Sequence, residues 1–483
     1  MRILFYSTNS NRYDGEKTNL RTLPSFASQW ENLAEKHPEH QFLIATQLPG
    51  TFLLDVKNNE IAQKAKNIEY FLIEDADEEK IADFLFSLNP EIALAASFYV
   101  PPFDWLTAKD ALVAENLRKK GIKTVCHPLE SALISFDKWQ THQFFEKYNF
   151  PCAKAVYLHH ELFINGGNRR EIKNNVYKNA VFSQIRKLKY PAIIKDTTGM
   201  SSFGMDVVNS FDEAKAIILS KKTTADRIIE EMIKGGQFGL EAVRFQKNGK
   251  SFVKVLPPFK FSVNRYGITS PKQSVKVGPV FDREKYCLSD LEKMISNLCE
   301  KMNLDGSANF DLVFNEDEKK WFVLEVNPRL SGMTTTYAAS MKKSVSERLF
   351  EIAKENLESD EDFKNFETKS ETKHDSKCKN AEKGDCFANV CGNEHFSPAM
   401  NIKFPLLSGE KLEKAKSLPF VSIVNQQENL GARQLREKGY CEVIFTADTF
   451  EKLRENLNIL KSEFEGEMEE IFFNNAMSLI DSL

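Results

Sequence analysis

Short apolar runs separated by longer amphipathic stretches recur through the first 127 residues. Segments 2–6, 41–45, 69–73, 92–96 and 123–126 carry near-continuous hydrophobic residues, as strands buried on both faces do. The stretches between them are long enough to hold crossover helices, so the pattern predicts a parallel α/β sheet covered on both sides. No Gly-x-Gly-x-x-Gly follows the first strand, which removes the main support for a dinucleotide-binding domain.

The texture changes at Pro128. A helix is expected over 129–147, then a polar loop over 160–175 and strands over 192–195, 227–233, 240–245 and 252–256. Leu291, Ile295, Leu298 and Met302 share one face of a further helix. Strands over 308–314 and 321–326 flank the polar turn 315–320, the signature of a hairpin. These elements predict an α+β domain with a mixed or antiparallel sheet. Residues 358–389 contain no Leu, Ile or Val, so they bury too little apolar surface to offset their ordering entropy and read as a flexible insert. A core returns after Phe396, and a helix with Phe450, Leu453, Leu457, Leu460 and Phe464 on one face closes a small terminal domain. The expected organisation is 1–127, 128–357 with a small lobe at about 190–235, an insert over 358–395, and a small α+β domain over 396–483.

Composition narrows the function. Of 483 residues, 42% are hydrophobic and 28% charged, the balance of a soluble globular protein. Lys+Arg 65 against Asp+Glu 69 leaves a net charge of −4, without the basic excess of a nucleic-acid binder. No apolar stretch is long enough to span a membrane, and the amino-terminal residues turn polar too early for a signal peptide. Eight scattered cysteines form no disulfide framework, so a cytoplasmic, membrane-free protein is expected.

Three clusters carry chemistry. Asp311 and Glu325 fall on the two strands of the expected hairpin, and Asn327 shares the face of Glu325 because strand side chains alternate. Two carboxylates and an amide oxygen at one point suit magnesium that also meets a phosphate, whereas the bland alternative is a surface hairpin with ordinary acids. Lys195 ends a strand and precedes the Gly/Ser loop 199–204, which can offer a fixed charge and backbone N–H groups to a polyphosphate. Glu230, Glu231, Met232 and Ile233 form a strand end able to present backbone groups to a nucleobase, or merely a solvated edge.

In this order and spacing, Lys138, Lys195 with its loop, residues 230–233, Glu241, Asp311 and Glu325-x-Asn327-Pro328-Arg329 resemble the ATP-grasp superfamily. The hairpin is most similar to that of the carbamoyl-phosphate synthetase and amino-acid ligase branch, and the resemblance covers about 1–355. It implies a Rossmann-like preceding domain and a two-lobed ATP-grasp domain. It also implies that Lys138 and Lys195 meet the nucleotide phosphates, helped by Ser201, Ser202 and Gly204 of the loop. Glu230, Glu231, Met232 and Ile233 become the adenine hinge, with Gln237 standing where relatives carry a ribose glutamate and Glu241 completing the nucleotide set. Asp311, Glu325 and Asn327 become ligands of Mg2+, or of Mn2+ in its place. Arg329 and Lys195 act on the transferred phosphate.

The implied function is an ATP-dependent carboxylate–amine ligase that forms an acyl phosphate and releases ADP and phosphate. Its partners would be a small carboxylate and an amine, and a homo-oligomer stays open. The alternatives are a biotin-carboxylase-type phosphorylation of bicarbonate, or a non-catalytic nucleotide-binding scaffold. Cys378, Cys386 and Cys391 with His374 and His395 match no standard zinc module. The segment 266–272 reads as a substrate loop or a surface turn, and Arg433 as a solvated helix start that could instead reach a substrate carboxylate.

Overall fold

A computed structural model of the chain describes residues 1–8, 12–13, 16–17, 27–47, 56–57, 60–61, 65–98, 106–164, 170–173, 175–198, 205–220, 225–247, 250–263, 269, 274–357, 394–404, 406–428, 439–464 and 470–483. Ser201, Ser202 and Gly204, expected at the phosphates, lie outside the described residues, as do 358–393 with Cys378, Cys386 and Cys391, most of 266–272, and Arg433.

The five apolar runs of the first 127 residues are β1 (Arg2–Ser7), β2 (Gln41–Gln47), β3 (Ile68–Ile73), β4 (Ile92–Ala95) and β5 (Lys123–Val125). They form one parallel sheet in the order β3-β2-β1-β4-β5. Helices α1 (Ala27–Lys36), α2 (Glu78–Ser87) and α3 (Leu106–Lys119) lie between them. One face packs with α2 and α3. The other packs Ile3, Phe5 and Ile44 against Phe245, Leu349 and Phe350 of later elements, so a shared core joins this domain to the next. Burial on both faces explains why these strands lack alternation.

The helix expected over 129–147 is two, α4 (Leu129–Phe136) and α5 (Lys138–Lys147). Asp137 breaks it, because its carboxylate accepts from the Trp139 and Gln140 N–H groups as the cap of α5. A small antiparallel sheet follows in the order β6 (Ala155–Leu158), β9 (Arg227–Glu231), β7 (Ala192–Asp196), β8 (Asp206–Val208), backed by α6 (Val176–Ile185) and α7 (Phe211–Ile218). Gly235 ends the connection out of β9, where a Cβ would stand 2.1 Å from the Phe314 carbonyl oxygen and φ is +153°.

The large sheet begins with β10 (Gly236–Lys247), β11 (Lys250–Val255), β12 (Phe259–Phe261) and β13 (Val275–Gly278). After α8 (Leu288–Lys301) come the hairpin strands β14 (Gly306–Asn315) and β15 (Lys320–Asn327), then α9 (Gly332–Ser340) and α10 (Val345–Leu357). The carboxyl-terminal part supplies β16 (Ala399–Phe404), α11 (Gly409–Ser417), β17 (Val421–Glu428), β18 (Gly439–Thr446), α12 (Phe450–Glu463) and α13 (Glu470–Asp481). Its strands do not form a sheet of their own. β16 pairs with β13, so one antiparallel sheet runs β15-β14-β10-β12-β13-β16-β18-β17, with β11 hanging on β10. Val275 and Val277 of β13 share a core with Leu453, Leu457 and Leu460 of α12. No helix among the described residues is long and apolar enough to cross a membrane.

Candidate active site

The hairpin brings the acids together. Asp311 of β14 stands directly opposite Glu325 of β15, and Asn309 opposite Asn327. The register slips between Asp311 and Leu312, whose partner is Val323, so Leu324 is an extra residue on β15. Bulges of this kind re-aim neighbouring side chains. Burial first, and the Glu325 charge second, raise the Asp311 pKa well above the usual carboxylate range, while Lys276 and Arg329 oppose the shift. Asn327 Oδ1 accepts from Arg329 Nη2 at 2.9 Å. Among the described residues no group of three or more His, Cys, Asp or Glu side chains forms a metal cage. The donor set is two facing carboxylates plus one amide oxygen, with no nitrogen or sulfur ligand, and this fits a hard cation that takes its other ligands from phosphate and water.

The two lysines converge on these acids from different elements. Lys138 opens α5, its Nζ lies 3.7 Å from Glu325 Oε1, and its N–H donates to Thr197 O at 2.7 Å. That bond ties the start of the helix to the strand end that carries Lys195. Lys195 Nζ lies 2.7 Å from Glu230 Oε2 across the small sheet. Lys138, Lys195, Glu230, Leu324 and Glu325 line a single cleft of about 350 Å³ between the two sheets. Thr141, His142 and Cys152 complete its wall, and sequence reasoning missed them because a helical threonine or histidine carries no motif. At the end of β9, the Glu231 N–H donates to Lys154 O and the Met232 N–H to Pro191 O. The Ile233 N–H has no acceptor among the described residues.

Arg329 faces a second space. It lines a cavity of about 430 Å³ bounded by Ser97, Asp110 and His127 of the first domain and by Asp305 and Ser307 at the start of β14. The cavity lies at the carboxyl ends of β4 and β5, lined there by Leu94, Ala95, Val125 and Cys126, on the side of a parallel sheet where ligands usually bind. His127 is buried there as the neutral Nε2–H tautomer, with Nε2 at 2.9 Å from Ser307 O and Nδ1 accepting the Asp305 N–H at 3.2 Å. Burial lowers its pKa to about 4.

Glu241 corrects the sequence reading. Its side chain is fully buried, and Oε1 accepts from Ser307 Oγ at 2.5 Å and Thr334 Oγ1 at 2.9 Å. Its Oε2 pairs with Arg348 Nη1 at 3.0 Å. Every part of this carboxylate is engaged inside the protein, clamping β10 to β14, α9 and α10, so nothing is left for a nucleotide. Gln237 lies near the start of β10, opposite Phe261 and Val313 on the neighbouring strands.

Comparison with known proteins gives the class. Residues 136–333 match the model of an ATP-grasp domain. The chain is 25% identical over 261 residues to the D-alanine–D-alanine ligase of Prochlorococcus marinus strain NATL1A, covering 51% of this chain and 71% of that one. Over 230 residues it is 23% identical to the carbamoyl-phosphate synthase of Methanobrevibacter smithii, covering 46% of this chain and 53% of the other. In three dimensions it resembles an L-amino acid ligase from Bacillus licheniformis, with a TM-score of 0.61 and 15% identity over 96% of this chain and 97% of that one. An N5-carboxyaminoimidazole ribonucleotide synthetase in its ADP complex superposes with a TM-score of 0.57 and 12% identity, covering 97% and 98% of the two chains. Residues 136–333 therefore form an ATP-grasp domain.

Proposed function

We propose that the enzyme activates a small carboxylate as its acyl phosphate and passes the acyl group to an amine. The observation that carries this is the single cleft in which Lys138, Lys195 and Glu325 meet. A carboxylate oxygen attacks the γ-phosphorus of ATP, the bond to the β-bridging oxygen breaks, and ADP leaves with the electron pair. The amine nitrogen then attacks the acyl carbon, loses a proton, and expels inorganic phosphate. Such phosphoryl transfer needs charge neutralisation and alignment more than a protein nucleophile.

Lys138 and Lys195 supply fixed positive charge to the phosphates, and Ser201, Ser202 and Gly204 are the further residues assigned to them from the sequence. The Ile233 N–H is the hinge group left to meet the adenine edge, since its neighbours' amides are engaged. Gln237 takes the ribose side. Asp311, Glu325 and Asn327 would hold magnesium, or manganese, which when bound neutralises phosphate charge. Arg329, steadied by Asn327, reaches toward the transferred group from the wall of the second cavity. Cys126, Cys152, Cys287, Cys299 and Cys441 are all free thiols, which is consistent with work in the reducing cytoplasm.

The test is ADP release with ATP and magnesium across a panel of small carboxylates and amino acids, with hydroxylamine added to trap acyl phosphate as hydroxamate. Ligase chemistry predicts hydroxamate from at least one acid. ATP binding without hydroxamate or ADP from any of them would refute it.

A further inference from the structure

Lys138 and Lys195 come to the cleft on separate elements, as the first residue of α5 and the penultimate residue of β7. Their spacing is set by what joins those two elements. One connection runs through the backbone. The Lys138 N–H, in the first turn where a helix amide has no partner within the helix, donates to Thr197 O at 2.7 Å. Thr197, buried two residues beyond Lys195, donates its own N–H to Asp226 O at 3.0 Å.

The other connection runs through side chains. Tyr157 of β6 donates its O–H to Asp226 Oδ2 at 2.6 Å, and its ring lies against that of Trp139, with centroids 5.5 Å apart and planes 24° from parallel. Trp139 follows Lys138 in the chain. It also stacks on His142, a buried residue of the cleft wall, with centroids 5.5 Å apart and planes 16° from parallel. These contacts close a ring that runs from Lys138 to Thr197, Asp226, Tyr157 and Trp139 and returns by one peptide bond.

Neighbouring groups hold the ring in place. Asp226 Oδ1 accepts the His160 N–H at 2.7 Å. Arg227, buried, donates Nε to Asp196 Oδ1 at 2.9 Å and Nη2 to Asp206 Oδ2 at 3.0 Å, which fixes the end of β7 to β8 and β9. Burial first, and the bond to Asp226 second, raise the Tyr157 pKa above its ordinary value, so the O–H stays a donor. Tyr157, Trp139 and Asp226 do not line the cleft, so any effect they have on a ligand there passes through residues that do.

We propose that Tyr157 and Asp226 are positioning residues for phosphoryl transfer. They hold the start of α5 against the end of β7 and so set the spacing at which Lys138 and Lys195 meet the ATP phosphates. The proposal rests on the ligase chemistry above and adds which residues outside the cleft align its two cations. Alignment of this kind acts more strongly on the transition state than on the bound ground state.

Tyr157→Phe keeps the ring against Trp139 and removes only the bond to Asp226. In ADP release, kcat should fall at least ~10-fold while KM for ATP rises only about 3-fold. In a Lys138→Met background the same change should cost less than ~2-fold, because a spacing between two lysines has no meaning once one is gone. A side chain that merely supports the fold would lower activity equally in both backgrounds. Equal losses, or no loss from Tyr157→Phe, overturn the proposal. Asp226→Asn leaves the carbonyl to Thr197 and removes the charge that Tyr157 meets; it should repeat the pattern, and it replaces Tyr157→Phe if that chain does not fold. Should no acid support ADP release by the native chain, the ligase chemistry itself fails, and the ring is judged by binding of ATP with magnesium. Affinity should then be about 3-fold weaker in Tyr157→Phe than in the native chain, and equal in the two chains lacking Lys138. Equal affinity of native and Tyr157→Phe chains overturns the proposal too.

Discussion

Lys195 Nζ and Glu230 Oε2 lie 2.7 Å apart, each side chain only 12% exposed, so the lysine proposed for the phosphates is tied to the first residue of the proposed adenine hinge. The pair crosses the small sheet diagonally, from β7 to β9. If Lys195 meets the phosphates as proposed, nucleotide binding and small-lobe stability share one charge.

Lys195→Met should lower ATP turnover at least ~10²-fold by removing a fixed charge from the transferring phosphate. It should also destabilise the fold by a few kcal/mol, on the order of 3, because Glu230 is left in a poorly solvated position without its partner. Adding Glu230→Gln should restore much of the stability and none of the turnover. Melting curves beside ADP release check this, and a double variant as unstable as the single one would show that the lysine packs rather than pairs.

The hairpin acids make a second prediction. Asp311 and Glu325 repel when no cation lies between them. Glu325→Gln should leave the ligand-free Tm unchanged or higher, while the magnesium concentration for half-maximal turnover rises at least ~10-fold. Asp311→Asn added to it should worsen turnover little further, because groups serving one ion act as a unit. If Glu325 served only as partner to Lys138, the variant would lose apo stability and keep its magnesium dependence.

Glu241 behaves oppositely. Glu241→Ala strands the Arg348 guanidinium in the core and unpairs Ser307 and Thr334. A loss of about 3–5 kcal/mol is expected, with an unchanged KM for ATP in whatever fraction stays folded. Urea unfolding and ATP titration at low temperature separate the two effects. A raised KM at full stability would return Glu241 to the nucleotide site.

His127 sets a pH dependence. Its folded pKa of about 4 is below the ordinary value near 6.5, because burial penalises the charged ring. Protonation therefore favours the unfolded chain, and the stability it provides is complete above about 6.5 and lost as pH falls toward 4, by about 3 kcal/mol. Asp305, raised to about 6 by burial, acts in the other sense, so the comparison has to be between native and His127→Gln chains. The urea midpoint of the native chain should fall more steeply from pH 6.5 to 4.5 than that of the variant. Parallel slopes would mean that His127 is already charged in the fold.

The hydrophobic pattern alone determined the parallel first domain, since strands buried on both faces need continuous apolar runs and 2–6, 41–45 and 92–96 supply them. It also determined the hairpin, and with it the facing of Asp311 and Glu325, because period-two alternation and a short polar turn leave one register that buries Phe310 and Val326. Other features were decided only by packing. The Leu324 bulge depends on how β15 meets a neighbour, and the split at Asp137 on a side chain outcompeting the helix for two N–H groups. Whether Glu241 faced a ligand or Arg348 depended on α10, more than a hundred residues away. The continuation of the large sheet into the carboxyl-terminal strands was equally hidden, because strand pairing is made by backbone groups that every residue carries. That pairing is what sets Glu442 beside Lys276, and no local property of either residue announces it.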